Sequence, residues 1–326
     1  TNILINTTNT PQQVIYYVEP YVNNCKGQIF TITVIVNPAP DADDITGFSC
    51  SGEQVGFDLV NYMNNFGNGV ASQYFWTPQP PPPTISGADT GFTSIINDTL
   101  VNNSNPGIAD NVVYDVIPIS LAHGCEGESF EVTIEVQATP QLVPDSYTFC
   151  SGLAFDYNLA SNMSTMGNQV PSTYVWNPDL SDVIVTGDNS GNSAIIDDVL
   201  ENISGNTAPQ DYFVVPTSTV QGACVGDTVT ITAIVNPEPA GNNGTTSACS
   251  GEPLNYPLQN SIDFNLTSTF VWYADDHSNV SNETLLPGSS DTLISDAVIN
   301  ISTNDETLTY YVFPESAGGC PGDSFT

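Results

Sequence analysis

Cys224-Val225-Gly226-Asp227-Thr228-Val229-Thr230-Ile231-Thr232-Ala233-Ile234-Val235-Asn236-Pro237 is the stretch from which the fold is read. Val229, Ile231, Ala233 and Val235 fall on every second position, the period of a strand with one face buried. A Cys-x-Gly turn stands before that strand and a proline closes it. The arrangement recurs at Cys125-Glu126-Gly127, followed by Phe130, Val132, Ile134 and Val136, and at Cys25-Lys26-Gly27, followed by Phe30, Ile32, Val34 and Val36. Cys320-Pro321-Gly322 opens it a fourth time. Self-similarity of this kind takes precedence over chain length in counting domains.

Working outward, each Cys-x-Gly is preceded by Tyr-x-Val-x-Pro, starting at Tyr16, Tyr114, Tyr212 and Tyr310. Cys-Ser-Gly occurs at Cys50, Cys150 and Cys249, and Trp76, Trp176 and Trp272 each follow an aromatic by two residues. Strand-like alternation continues at Val55, Phe57, Leu59, at Leu153, Phe155, Tyr157 and at Leu254, Tyr256, Leu258. Asn, Gly, Pro and Ser crowd the remaining segments as turns and loops, and no segment reads as an amphipathic helix. About seven short strands per ~100 residues around a central Trp is the profile of an immunoglobulin-like sandwich, with the Trp in the core. The expected class is therefore all-β, in tandem sandwich repeats of about 100 residues. The boundaries read as 1–39, the closing part of a repeat; 40–139 and 140–238, two complete repeats; and 239–326, an incomplete one. Proline marks the joints at Asn37-Pro38-Ala39-Pro40, Thr139-Pro140 and Asn236-Pro237-Glu238-Pro239, and short Pro-containing joints are stiff. Pro78-Gln79-Pro80-Pro81-Pro82-Pro83 reads as a polyproline II loop.

Lys26 is the single basic residue against 36 acidic ones, a formal net charge of -35. Such a field repels phosphate backbones and excludes nucleic acid as a partner. The acidic residues spread along the chain as a solvated, self-repelling surface. Asp41, Asp43, Asp44 and Asp275, Asp276 offer oxygen ligands of the type Ca²⁺ takes, but without the spacing of a loop motif; no other cofactor is implied. No apolar run approaches the ~20 residues of a membrane span, so direct membrane insertion is not expected. The start Thr1-Asn2-Ile3-Leu4 carries neither an initiator nor a signal peptide and reads as that of a mature or excised piece of a longer chain.

Seven cysteines at regular positions, without a CxxC pair or clustered histidines, point to disulfides in an oxidising extracellular setting rather than to zinc. Two pairings are open. Each domain can close itself: Cys50 with Cys125, Cys150 with Cys224, Cys249 with Cys320. Against this, in an ordinary sandwich the two turns lie at opposite ends of strands roughly 23 Å long, and a disulfide needs Cα atoms within about 7 Å. The other pairing staples each repeat to the next, Cys50 to Cys224 and Cys150 to Cys320, leaving Cys25, Cys125 and Cys249 to partners elsewhere.

Taken together, Cys-Ser-Gly, Tyr-x-Val-x-Pro, Cys-x-Gly and the closing Val-x-Val-Asn-Pro-x-Pro resemble the PKD-like repeats of giant surface adhesins that gliding Bacteroidetes export by the type IX system, the SprB-like gliding adhesins. Ile95-Ile96-Asn97-Asp98-Thr99-Leu100-Val101-Asn102 and Ile195-Ile196-Asp197-Asp198-Val199-Leu200-Glu201-Asn202 share that likeness, which covers essentially the whole chain. The resemblance implies a protein secreted to the cell surface, with these repeats as a long stalk whose partners are adjacent repeats of the same chain. It leaves the external surface or glycan unnamed. It also implies O-glycosylation where Asp-(Ser/Thr)-apolar occurs, at Thr99, Thr228 and Thr292.

Catalysis needs a converging set of acids, bases or nucleophiles. His123 and His277 stand in different parts of different repeats with no nucleophile beside either, so the expectation is a structural, non-catalytic protein. The rival reading is a binding module, because sandwich domains bind through end loops and edge strands. Asn61–Phe66 and Ser161–Met166 read as apolar-bearing loops of that kind. A filament in which one chain completes the sandwich of another is a further alternative.

Overall fold

The structure, a computed structural model, describes residues 3–104, 107–181 and 183–326; Thr1 and Asn2 of the N-terminal reading lie outside them. The chain forms two compact units. The first comprises Thr1–Gln141 with Gly167–Ser172 and Thr217–Gly226, and the second Leu142–Met166, Thr173–Pro216 and Asp227–Thr326.

The first unit opens with a hairpin of β1 (Gln12–Val18) and β2 (Phe30–Val36), antiparallel from Gln12 opposite Val36 to Val18 opposite Phe30. A four-stranded sheet follows, formed by β3 (Ile45–Cys50), β4 (Ser72–Pro78), β5 (Asp110–Ser120) and β6 (Phe130–Gln137) in the order β3-β6-β5-β4. Only β3 runs parallel to its neighbour β6, with Cys50 opposite Gln137. Two short antiparallel pairs, Phe57–Asp58 with Ile95–Ile96 and Ile85–Ser86 with Val101–Asn102, together with a helix α1 (Leu59–Asn65), provide the facing layer. Between the layers lie Tyr74, Trp76, Ile96, Leu100, Tyr114, Val132 and Ile134. Burying each such side chain stabilises the fold by roughly 1.5–3 kcal/mol.

The second unit repeats the plan with β7 (Asp145–Cys150), α2 (Leu159–Thr165), β8 (Ser172–Pro178), β9 (Ala208–Ser218) and β10 (Val229–Asn236), in sheet order β7-β10-β9-β8 and again with the first strand parallel to the last. Its core gathers Phe155, Trp176, Ile196, Tyr212, Ile231 and Val235. The last repeat pairs β11 (Ser268–Ala274) with β12 (Tyr310–Ser316) over a separate core containing Leu258, Phe270, Trp272 and Phe325.

The three tryptophans are buried, and each meets a repeat tyrosine edge-on, Trp76 with Tyr114 at 5.6 Å, Trp176 with Tyr212 at 5.7 Å and Trp272 with Tyr310 at 5.8 Å between centroids. The indole lies so close to the segment bridged antiparallel to its own backbone that a Cβ on Gly91 would sit 2.1 Å from Trp76, and one on Gly191 2.2 Å from Trp176. Only glycine fits at either place.

Three expectations require correction. The segments read as loops after Asp58 and Asn158 are helices: the Asp58 and Asn158 side chains accept from the backbone N–H of Asn61 and Ser161, capping α1 and α2. Leu59, Tyr62 and Met63 turn inward with helical spacing, as do Leu159, Asn162 and Met163. The alternation Leu153, Phe155, Tyr157 is not a half-buried strand either, since Leu153 is exposed and only Phe155 enters the core fully. Finally, alternation in β2 buries no face. Phe30 and Ile32 are 50% and 47% exposed where their counterparts Phe130 and Val132 are 3% and 0% exposed, because among the described residues no second layer covers the hairpin.

Candidate functional site

The repeated cysteines are best understood from the backbone that holds them. Cys50 ends β3, where Ser51 N–H donates to Gln137 O and Gly52 N–H to Leu100 O, both at 2.8 Å. The Ser51 hydroxyl accepts from the N–H of Asn102 at 2.9 Å, and Gly52 has φ +85°, a conformation that penalises any residue with a Cβ. The second copy is built alike. Ser151 N–H meets Asn236 O, Gly152 N–H meets Leu200 O, and Ser151 Oγ accepts from Asn202 N–H. Ser250 Oγ accepts from Asn300 N–H in the third. Cys-Ser-Gly thus carries a built-in acceptor and a built-in left-handed turn in all three copies, and in the first two it ends a strand.

At the Cys-x-Gly end, Cys224 sits in the connection from β9 to β10. Its carbonyl accepts from Ser218 N–H at 2.8 Å, and its own N–H donates to Ser218 Oγ at 2.9 Å. Cys320 makes the same exchange with Ser316. Both cysteines are buried, at 1% and 0% exposure.

Two disulfides join these ends across repeats. Cys50 bonds Cys224 with Cα atoms 5.6 Å apart, and Cys150 bonds Cys320 with Cα atoms 5.5 Å apart, closing loops of 174 and 170 residues. Closure of a repeat on itself is not the pairing present. Cys50 lies opposite Gln137, at the end of β6, whereas Cys125 precedes the start of that strand at Phe130; eight strand residues span roughly 25 Å. Cys25, Cys125 and Cys249 carry free thiols, the first and last exposed. Beside the first bond, Gly222 has φ +93°, and a Cβ there would meet the Phe48 ring at 3.0 Å.

A buried latch braces each repeat behind its Cys-Ser-Gly. Tyr114 donates to Asp98 Oδ2 at 2.6 Å, Tyr212 to Asp198 at 2.7 Å and Tyr310 to Asp296 at 3.0 Å. The same carboxylates accept backbone N–H groups from Asp89, Asn189 and Thr284. Burial, followed by the adjacent aspartate, pushes the phenols of Tyr114 and Tyr212 far above their ordinary range, and burial with Asp296 does the same to Tyr310. Tyr157, bonded to Asp145, is pushed up to about 12 by burial first and that hydrogen bond second.

A second latch has no counterpart in the sequence reading. Asn102 Nδ2 donates to Ile108 O and Val136 O, Asn202 to Asn206 O and Val235 O, Asn6 to Thr10 O and Val36 O, and Asn300 to Asn304 O. Each Asn Oδ1 in turn accepts the N–H two residues on, at Ser104, Ser204, Thr8 and Ser302. The signal was present as Asn-x-(Ser/Thr) at corresponding places of the repeats, Asn6, Asn102, Asn202 and Asn300, among other copies of the same short pattern. It is an Asx turn that ties a loop to the last strand.

The remaining expected sites are dispersed. Thr99, Thr228 and Thr292 are all exposed, while Asp98 of the first pattern is engaged with Tyr114. In the first aspartate cluster, Asp43 O accepts from the Tyr62 hydroxyl and Asp44 Oδ1 from Glu131 N–H, both holding local structure. Asp275 N–H donates to Thr309 O in the second cluster, which includes Asp276. Among the described residues no three His, Cys, Asp or Glu side chains gather as a metal site requires. His277 faces Glu306 at 3.7 Å and His123 is exposed in a turn near Cys125. No helix of the described residues is long and apolar enough to cross a membrane.

Tandem β-sandwich repeats with recurring latches and cysteines define a class of modular repeat protein. Within it, the chain belongs to the PKD-like domain family, which matches residues 1–40, 48–140, 147–239 and 246–326. Among solved structures it is similar to the human desmocollin-1 ectodomain, at 12% identity over 97% of this chain and 64% of that one with a TM-score of 0.23. It is also similar to human CDH23 EC21-23, at 9% identity over 87% of this chain and 99% of that one with a TM-score of 0.26, and to mouse cadherin-23 EC22-24, at 10% over 88% and 97% with 0.28. At these values the likeness adds nothing to the family assignment. A search of curated proteins found no match.

Proposed function

We propose that the chain is a non-catalytic, load-bearing stalk segment of a secreted cell-surface adhesin, giving reach and mechanical strength in surface adhesion and, in a SprB-like gliding adhesin exported by the type IX system, in gliding. The observation that carries this is the pairing of the cysteines. Each bond runs from the Cys-Ser-Gly of one repeat to the Cys-x-Gly of the following one, so the joint between repeats, not only each fold, is covalently closed. Such bonds persist in an oxidising extracellular setting. The acidic surface discourages lateral bundling, an effect that salt screens. Exposed Thr99, Thr228 and Thr292 are the positions at which this reading puts O-linked glycans.

The test is to pull single chains from both ends, with and without reductant. Stalk function predicts a sharply shorter extensible length when oxidised; equal lengths in both conditions defeat it.

A second reading, a ligand-binding module, has one observation in its favour. An open hollow of about 500 Å³ in the first unit is lined by Phe48, Phe57, Tyr62 and Phe66, of which Phe48 and Phe66 are exposed. Glycan-array binding lost in a Phe48→Ser/Phe66→Ser variant supports this alternative, and binding that survives the double change removes it.

A further inference from the structure

A hollow in the second unit lies where the last repeat meets the one before it. It encloses about 420 Å³, within the range of roughly 300–1,000 Å³ usual for small-molecule sites. Its lining residues fall between 205 and 318, and none of them is charged or titratable, in a chain with 36 acidic residues. Divalent cations take carboxylates and anions take basic side chains; the lining offers neither. It offers amides, hydroxyls and one aromatic ring, chiefly from Asn206, Thr207, Asn236, Asn265 and Phe264.

Phe264 distinguishes this place from its counterparts. Counted back from Ser72, Ser172 and Ser268, the first residues of the tryptophan strands, it stands where Asn68 and Asn168 stand in the earlier repeats. Those asparagines tie down the proline joints, donating from Nδ2 to Ala39 O at 2.7 Å and to Thr139 O at 3.0 Å. In the last repeat the backbone N–H of Asp263 donates to Ala240 O at 2.9 Å, and the side chain at 264 has no such duty. Phe264 is 73% exposed, and its φ of +54° is followed by one of +53° at Asn265, a left-handed pair that residues with a Cβ rarely adopt. Gly205 admits this backbone, since a Cβ there would lie 2.6 Å from that of Phe264. An apolar ring turned to water on a costly backbone is not accounted for by packing, and such outliers gather at ligand sites.

The polar groups around the ring are unspent. Asn236 Oδ1 accepts from the Thr207 hydroxyl at 2.8 Å, which leaves Asn236 Nδ2 to donate. The side-chain amides of Asn206 and Asn265 have no hydrogen-bond partner among the described residues.

We infer that this hollow binds a neutral sugar, with the C–H face of one pyranose ring on Phe264 and its hydroxyls on Asn206, Asn236 and Asn265. A C–H face covers the exposed ring, and an amide both donates and accepts, as a hydroxyl does. The net charge of -35 repels anionic glycans. The site shares no residue with the hollow of the first unit.

The experiment titrates the whole chain with soluble neutral pentasaccharides of glucose, mannose, galactose and N-acetylglucosamine, and with sulfated and sialylated glycans, by saturation-transfer NMR and calorimetry. At least one neutral pentasaccharide is expected to bind at millimolar concentration or below, and the charged glycans more weakly. Phe264→Gly suits the left-handed backbone, so it loses binding with an unfolding midpoint no lower than the parent's. Asn206→Ala keeps the carbonyl that Asn202 uses and weakens binding roughly tenfold, the factor that about 1.4 kcal/mol gives. No binding across the neutral panel overturns the site, as do charged glycans bound equally well or full binding by Phe264→Gly. Lost binding in Phe264→Gly with a lowered midpoint, while Asn206→Ala binds like the parent, assigns the ring to packing and overturns it too. Binding lost instead in Phe48→Ser/Phe66→Ser places the sugar in the first unit, against this site and for the second reading. Each outcome is independent of the cysteine pairing that carries the stalk reading.

Discussion

Two polar side chains per repeat link its loops to its strands. Asn202 is 9% exposed and donates to two carbonyls 29 residues apart, Asn206 O and Val235 O. Asn202→Ala strands both carbonyls next to the core, and a loss of about 2–3 kcal/mol is expected in denaturant unfolding of the unit that contains it. Tyr212 donates to Asp198, four residues before Asn202. Tyr212→Phe leaves the carboxylate with one donor fewer and is expected to lower stability by about 1–3 kcal/mol. The phenol also sets a pH dependence. Its folded-state pKa lies above the unfolded value near 10, so its stabilising contribution is complete below pH ~10 and is lost as pH rises toward the folded value, at about 1.4 kcal/mol per pH unit. Alkaline titration of unfolding should therefore show a steep loss above pH ~10 that is shallower in Tyr212→Phe; an equal slope in the two proteins removes the argument.

At the scale of elements, the alternating strands and the tryptophan-centred core were legible because period two is a property of neighbouring residues. The helices were not. Val55, Phe57 and Leu59 continue a strand's alternation up to the residue where α1 begins, and seven residues are too few for a helical period to stand out against it. The readable signal was the cap: Asp58 or Asn158 immediately before a leucine, with a methionine four residues after that leucine at Met63 and Met163. Asp58→Ala is expected to lower the stability of the first unit by about 0.5–2 kcal/mol, measured by denaturant unfolding. The cysteine pairing was only half legible, because spacing shows which turns carry thiols while the parallel β3–β6 pairing decides which end each turn occupies. The Asn latch went unread although its pattern recurs, since Asn-x-(Ser/Thr) has no meaning until a strand lies beside it. Gly222 is a similar case. Its φ of +93° strains any residue with a Cβ, and the Phe48 ring at 3.0 Å would have to shift to admit a side chain next to Cys224. Gly222→Val should hinder the first disulfide alone, giving two additional reactive thiols in a titration while Cys150–Cys320 stays closed.

For the molecule as a whole, the two bonds overlap in sequence, 50 to 224 and 150 to 320, and this overlap determines how far force can lengthen the chain. The shortest covalent path runs from the N-terminus to Cys50, across to Cys224, back to Cys150, across to Cys320 and on to residue 326. That is about 130 residues of backbone instead of 326, so at roughly 3.5 Å per residue the fully unfolded chain reaches about 450 Å oxidised and about 1,100 Å reduced. Reversal of the path between Cys224 and Cys150 is specific to staples between repeats. Bonds within each repeat would make the oxidised length depend on Cys125, whereas the pairing in the structure makes Cys125 irrelevant to it. In single-molecule extension, Cys125→Ser should therefore keep the length of about 450 Å, while Cys224→Ser, which leaves Cys150–Cys320 intact, should lengthen it to about 540 Å. A change on removing Cys125, or none on removing Cys224, contradicts the pairing and with it the argument that covalent joints carry the load.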